Sequence, residues 1–345
     1  MMKKNVLKKM LAFACAGAMA FSLAACGEQG TGTPSGEEQN NGTEGVKIGI
    51  LQYAPHPSLD YCYQGLLEGL KEEGYEDGVN GVSITFQNAN GRESDADMMA
   101  KTMVSSGCDM VIAIATPAAM SSYAAARDRG VPVVYTAVAD PERAGLAKDL
   151  ANPQTGASGT RDALNLEGQM KMIRAFLPEA KTIGILYTTS EPNSVSHLET
   201  FRELAPKYGF TIEAVGITNE SEVSSGAAAL LAKGVDCVNN FTDNNVVNNL
   251  STLLHATDAA SVPVFGSEET QILNGCVASE SIDYVAVGNK TGHMAAEVLR
   301  GEADIMTMPV VRIEETVPMY SAKNLEKFGM TLPGEYSNAV NLDEK

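Results

Sequence analysis

The chain has 345 residues and a formal net charge of −18, with 43 acidic against 25 basic side chains. Hydrophobic residues are 44% and charged residues 20%, a globular composition with enough length for two domains. So acidic a chain repels phosphate backbones, and no apolar run reaches the roughly 18 residues of a membrane helix. Nucleic-acid binding and a polytopic membrane protein are therefore excluded, and the absence of tryptophan disfavours large aromatic platforms.

Residues 1–26 have the pattern of an export signal. Lys3, Lys4, Lys8 and Lys9 form a positive start, Met10–Leu23 is apolar and Ala-rich, and the segment ends Leu23-Ala24-Ala25-Cys26-Gly27. That ending resembles the lipobox of bacterial lipoproteins, which implies acylation of Cys26 and a lipid anchor. Residues 27–45 contain no large apolar residue and are expected to be a flexible tether with a reach of about 24 Å. Cys62, Cys108, Cys237 and Cys276 remain in the body. They are widely spaced, with no CxxC pair, so buried free thiols are expected rather than a metal site.

The body opens with the β-rich run Val46-Lys47-Ile48-Gly49-Ile50-Leu51, and a close copy follows at Lys181-Thr182-Ile183-Gly184-Ile185-Leu186. Each copy precedes a polar loop and a helical pattern, about Leu59–Gly74 in the first and about Ser194–Gly209 in the second. Ser106-Gly107-Cys108-Asp109-Met110-Val111 then matches Lys233-Gly234-Val235-Asp236-Cys237-Val238. Gly130-Val131-Pro132-Val133-Val134 matches Ser261-Val262-Pro263-Val264-Phe265. Strands alternating with helices predict α/β architecture with parallel sheets, and the ordered repeat predicts two Rossmann-like lobes around a ligand cleft. A helix over Val285–Arg300 and strands at Pro309–Ile313 and Val317–Tyr320 have no copy in the repeat. They are expected to cross back and complete the first lobe. Lobe 1 is accordingly placed at residues 46–158 plus about 286–345, and lobe 2 at 159–285.

Open parallel sheets bind ligands beyond the carboxyl ends of their strands, where loops lead into helix N-termini carrying unpaired N–H groups. Six such loops are rich in polar and turn residues. In the first lobe they are Tyr53-Ala54-Pro55-His56-Pro57-Ser58, Thr116-Pro117-Ala118-Ala119 and Ala139-Asp140-Pro141. In the second they are Thr188 to Ser194, Thr242-Asp243-Asn244-Asn245 and Ser267-Glu268-Glu269.

These loops resemble those of ABC-transporter substrate-binding proteins of the type I periplasmic-binding fold, in the branch associated with tryptophan and tyrosine uptake. The match rests on His56-Pro57-Ser58-Leu59-Asp60, Ala115 to Ala119, Ser158-Gly159-Thr160, Ser190-Glu191-Pro192-Asn193-Ser194, Thr242-Asp243-Asn244 and Gly266-Ser267-Glu268-Glu269. Asp283-Tyr284 through Gly292-His293-Met294 also fits. The resemblance covers about residues 46–332 and implies a free amino acid held between the lobes, with a permease and its ATPase as partners; no cofactor or metal is expected, and a monomer is expected because closure needs free lobes.

The resemblance implies that Thr116, Ser190, Asn193 and Ser194 serve the α-carboxylate. Asp243, then Glu268, would pair with the ammonium. Tyr53, Phe241 and Tyr284 would wall the side chain, with Pro117 as a rigid edge. His56, Ser58, Ala118, Asp140, Thr160 and Asn244 complete the candidate site. Simpler roles compete: Ser190, Ser194 and Asp243 as helix caps, Tyr53 and Phe241 as lobe packing, His56 as a loop residue. Two positions depart from the family pattern, Met120 where a polar side chain is usual and Arg161 where a small hydroxyl is usual. Rival functions keep the fold as a ligand sensor, or change the ligand to a sugar or nucleoside. An enzyme is disfavoured because no H-E-x-x-H, G-x-S-x-G, P-loop or G-x-G-x-x-G is present.

Overall fold

A computed structural model of the protein describes residues 45–313 and 316–344. The export signal, Cys26 and all of the expected tether except Gly45 lie outside the described residues. Of the first lobe, β1 (Lys47–Gln52), β2 (Ser83–Asn88), β3 (Met110–Ile114), β4 (Val133–Thr136) and β5 (Ala157–Arg161) alternate with α1 (Pro57–Glu72), α2 (Glu93–Ser105) and α3 (Thr116–Ala126). β1 and β3 are almost wholly buried, as parallel strands covered on both faces must be.

The second lobe begins with α4 (Leu166–Phe176). It continues with β6 (Thr182–Thr188), α5 (Pro192–Leu204), β7 (Thr211–Ile217), α6 (Val223–Leu231), β8 (Cys237–Asn239), α7 (Asn244–Asn248), α8 (Leu250–Ala259), β9 (Val264–Phe265), α9 (Glu269–Leu273) and β10 (Ala278–Ile282). The chain then passes through α10 (Tyr284–Leu299), β11 (Val311–Arg312), β12 (Thr316–Tyr320), α11 (Ala322–Lys327) and β13 (Val340–Asn341).

The first sheet runs β11-β5-β4-β3-β1-β2 and the second β7-β6-β8-β9, with every pair parallel. In both, the first strand of the lobe sits between the second and the third, so the order reverses at the same place. That reversal opens a crevice at the carboxyl ends of β1 and β3 in one lobe and of β6 and β8 in the other.

The C-terminal strands divide between the lobes. β11 joins β5 in the first sheet, but β12 pairs antiparallel with β10, and β13 pairs with β12. β10 in turn exchanges backbone hydrogen bonds with β9, through Val277 N–H to Val264 and Gly266 N–H to Ala278. The expectation that Val317–Tyr320 completes the first lobe is therefore corrected, because its ladder partner lies on the second. The first sheet also keeps β5 to Arg161, past the expected boundary at 158.

α10 returns to the first lobe and lies against α1 at backbone distance. A Cβ on Gly288 would stand 2.0 Å from the Cys62 carbonyl oxygen, and one on Gly65 would stand 2.0 Å from that of Val285. At Gly69 and Gly292 an added Cβ would stand 2.3 and 2.7 Å from the opposite backbone, so neither helix has room to shift. Because the obstacle is backbone, Gly288→Ala is expected to cost on the order of 3 kcal/mol in urea unfolding. Alanine at Gly334, where a Cβ meets nothing within 4 Å, is expected to change stability far less.

Candidate functional site

The loop after β1 turns into α1 through His56. The imidazole Nδ1 accepts the Ser58 N–H at 3.1 Å and caps the helix, and Pro57 occupies the first turn, where no N–H is needed. Burial pushes His56 down to about 4, so the ring is neutral. With Nδ1 accepting, the ring proton sits on Nε2, and this buried N–H has no partner in the protein.

The loop after β3 enters α3 through Ala115, held at φ 81° and with no side-chain cap on the helix. Ala137, beyond β4, has φ 54°. Such angles are costly for alanine, about 1–3 kcal/mol each, and both residues line the same cavity. The Thr116 hydroxyl beside Ala115 is buried and unpaired.

That cavity lies between the lobes and is nearly closed, with a volume of only about 20 Å³. His56, Ser58, Thr116 and Ala139 line it from the first lobe, and Asn193, Thr242 and Asn244 from the second. Leu59 and Tyr284 give it apolar surface, and Asp162 closes it at the crossing from β5 to α4. Asp162 Oδ2 accepts the Tyr284 hydroxyl at 3.1 Å, whereas its Oδ1 is buried without a donor. Burial pushes Asp162 up to about 6, although Tyr284 and Arg161 pull the other way. Asn193 Oδ1 is likewise buried and unpaired. The cavity thus presents free donors from His56 and Thr116 and free acceptors from Asp162 and Asn193.

Of the expected site residues, His56, Ser58, Thr116, Asn193, Asn244 and Tyr284 meet in this cavity. Tyr53, Pro117 and Ser190 line a neighbouring outer groove with Met120, and the Tyr53 hydroxyl donates to the Gly91 carbonyl. Ala118 is buried but does not border the cavity. Asp140 sits where the lobes meet and accepts the Ser196 hydroxyl at 3.0 Å.

The expected ammonium partners are both engaged elsewhere. Asp243 accepts the Thr188 N–H and hydroxyl, the Ser194 hydroxyl and the Val246 N–H, at 2.6 to 3.1 Å. No lone-pair direction is left for a ligand, and Ser194 is consumed in the same network. Glu268 caps α9 through the Thr270 and Gln271 N–H groups. Phe241 is fully buried against Phe201 and His197, and Thr160 bonds to Thr291 and Thr136 inside the first lobe. Neither reaches the cavity.

Two carboxylates outside the expected set each keep one buried oxygen without a partner. Asp162 is one. Glu191 is the other: Oε2 receives the Asn244 N–H and both the Asn244 and Asn193 amides, and Oε1 is buried without a partner. Burial, then the nearby Asp243, holds Glu191 well above the usual carboxylate range. Glu191 belongs to a loop already singled out by the strand-end rule. Asp162 follows the last strand of the first lobe, a position the same rule reaches when applied to β5.

Residues 47–340 match the family model of the ABC transporter substrate-binding proteins. A tyrosine-binding protein of Clostridioides difficile (strain R20291) is 34% identical over 325 residues, covering 94% of this chain and 93% of that protein. A Streptococcus pneumoniae ABC domain solved with L-tryptophan superposes with a TM-score of 0.82 at 34% identity, covering 86% of this chain and 99% of that one. The ligand-free, open structure of a substrate-binding protein with adhesive properties from Clostridium difficile, also 34% identical, gives 0.65, with 86% and 98% covered.

If Asp243 organises the loop rather than touching ligand, its loss shows in stability. Asp243→Ala is expected to lower unfolding free energy by about 3 kcal/mol, because four donors lose their acceptor in a buried setting. Chemical denaturation of the ligand-free protein measures this directly.

Proposed function

The chain belongs to the ABC transporter substrate-binding protein family, and we propose that it clamps a free aromatic amino acid of the tyrosine or tryptophan kind between its lobes. The observation that carries this reading is the set of unpaired polar atoms around one cavity. His56 Nε2–H, the Thr116 hydroxyl and the uncapped first turn of α3 suit a carboxylate. Asp162 Oδ1 and Asn193 Oδ1 suit an ammonium. A zwitterion meets both sets with full charges, whereas the hydroxyls of a neutral sugar donate and accept without charge. The tyrosine-binding and tryptophan-bound relatives support the aromatic class.

Binding proceeds by lobe closure. A ligand touching both halves stabilises the closed arrangement over the open one by the difference in its contacts. At equal identity the chain superposes better on the tryptophan-bound relative than on the open, ligand-free one, which supports a closed arrangement here. Asp140 to Ser196 and the ion pair of Arg143 with Glu199 join the β4–β5 connection to α5 across the lobes. The closed form then presents its ligand to a membrane permease driven by an ATPase. The lipobox-like Cys26 supports a lipid anchor on the outer face of the membrane, and the need for freely moving lobes supports a monomer. The residues act by binding, without turnover.

Isothermal calorimetry of the purified protein with amino acids, sugars and nucleosides tests the class. Tyrosine or tryptophan is expected to bind, and binding of a sugar or nucleoside with no amino acid would sink the reading. The pH dependence follows from Asp162. An acid raised in the folded protein stabilises the ligand-free fold at low pH, and that contribution is lost as pH rises through about 6. An ammonium favours the ionised form, so affinity is expected to be about tenfold weaker at pH 5 than at its plateau above neutrality. Asp162→Asn is expected to flatten this limb and weaken binding at pH 7.5 about 30-fold.

The lobe-spanning ion pair is exposed, so its effect is small and salt-dependent. Arg143→Ala and Glu199→Ala are each expected to raise the dissociation constant about twofold to fivefold, with the double variant no worse than either single one. At 1 M salt the differences are expected to vanish, and additive effects would mean that the two residues act separately.

A further inference from the structure

Asn193 lends the cavity an acceptor, but an amide has two ends. Turned over, it would offer a donor there and repel an ammonium. Its surroundings decide which end faces the cavity. Asn193 Nδ2 donates to Glu191 Oε2 at 3.3 Å, to the Thr242 carbonyl at 3.4 Å and to the Ser194 hydroxyl oxygen at 3.5 Å. Each of these can only accept. A carbonyl has no proton to give. The Ser194 proton is committed to Asp243 at 2.7 Å. Glu191 Oε2 already receives the Asn244 N–H at 3.1 Å and the Asn244 amide at 2.7 Å. The Asn193 nitrogen is therefore drawn away from the cavity, and Oδ1 is left for a guest.

Glu191 lies behind this wall. It is 1% exposed and does not border the cavity. It holds two residues that do, Asn193 at the start of α5 and Asn244 at the start of α7. Burial, then Asp243, favours its protonated form. Three donors occupy Oε2, so the proton belongs on Oε1. In that state the side chain has the shape of glutamine, with an acceptor turned toward the two asparagines.

We propose that Glu191 is a positioning residue that fixes the Asn193 amide with its oxygen toward the cavity, so that the cleft selects an α-ammonium over an α-hydroxyl. An ammonium carries three donors and no acceptor, so it gains only from the oxygen end. A hydroxyl both donates and accepts, so it pairs with either end. Without Glu191 the Asn193 nitrogen keeps only its two longer bonds, and the amide is free to turn. The ammonium then loses its partner and the hydroxyl does not.

This inference rests on the amino-acid reading, and its test separates the two. Calorimetry on the purified protein compares L-tyrosine with its α-hydroxy analogue, L-4-hydroxyphenyllactate. The unaltered protein is expected to prefer L-tyrosine by at least about 30-fold. Glu191→Met keeps the bulk and removes the acceptor. It is expected to weaken L-tyrosine about tenfold and the analogue no more than about twofold. Glu191→Gln keeps an acceptor in the place of Oε2 and is expected to hold the preference within about twofold of the unaltered protein. Glu191→Asp withdraws the acceptor by one methylene, and it replaces the Met variant if that fails to fold. It is expected to narrow the preference at least about threefold. Equal weakening of both ligands by the Met or Asp variant overturns the positioning role, because Glu191 would then only support the loop. An unchanged preference in these variants, or a Gln variant as unselective as the Met one, overturns it as well. In each of these cases L-tyrosine still binds the unaltered protein and the amino-acid reading stands. Failure of the unaltered protein to bind L-tyrosine or tryptophan overturns both.

Discussion

A buried polar atom without a partner costs about 1–3 kcal/mol, and the cleft of this protein gathers several of them around one small cavity. Folding alone does not justify that arrangement. Asp243, buried at similar depth on the second lobe, is by contrast satisfied by four donors. The contrast between a saturated carboxylate at Asp243 and a half-saturated one at Asp162, which borders the cavity, separates a group that builds the site from one left for a guest. The left-handed backbone at Ala115 and Ala137 belongs to the same pattern, since strain is tolerated where the surrounding sheet over-determines it.

The frame that holds these atoms in place follows from strand order. In each lobe the first strand lies between the second and third, so the loops leaving it and its neighbour face a common crevice. The lobes are joined by the crossings from β5 to α4, from β10 to α10 and from β11 to β12. α10 is fixed to α1 by glycines that bring the backbones together, which makes the first lobe rigid up to the crossing. Asp162 and Tyr284 sit on two of these crossings and bond to each other, so the hydrogen bond that orients the free Asp162 oxygen also ties the connection between the lobes. Closure and ligand recognition therefore share residues.

Much of this was legible in the sequence because the two lobes repeat. The matched strand runs gave the α/β class and pointed to loops at six strand ends, among them those carrying His56, Thr116 and Asn193, while the choice of these residues within the loops came from the family resemblance. What the pattern missed depends on direction and on long-range pairing. Thr160 lies at a strand end like the others, but strand alternation turns it toward α10, where it bonds to Thr291. Phe241 follows β8, yet its ring packs on Phe201 and never meets the cavity. Asp243 precedes a short helix and caps it, the local role that an aspartate there fills most readily. Asp162 lies on a crossing with no counterpart in the repeat, and β12 pairs antiparallel across a distance no local motif marks.

The central claim is that the unpaired donors and acceptors around the cavity complement the two charges of an amino acid. Calorimetric comparison of L-tyrosine with tyramine, which lacks the carboxylate, and with 4-hydroxyphenylpropionate, which lacks the ammonium, tests it most directly. The account predicts that either deletion weakens binding by at least about 30-fold, because each leaves a buried charged or polar group of the protein unpaired. If either analogue binds within a few-fold of L-tyrosine, the cavity is not the zwitterion clamp described here.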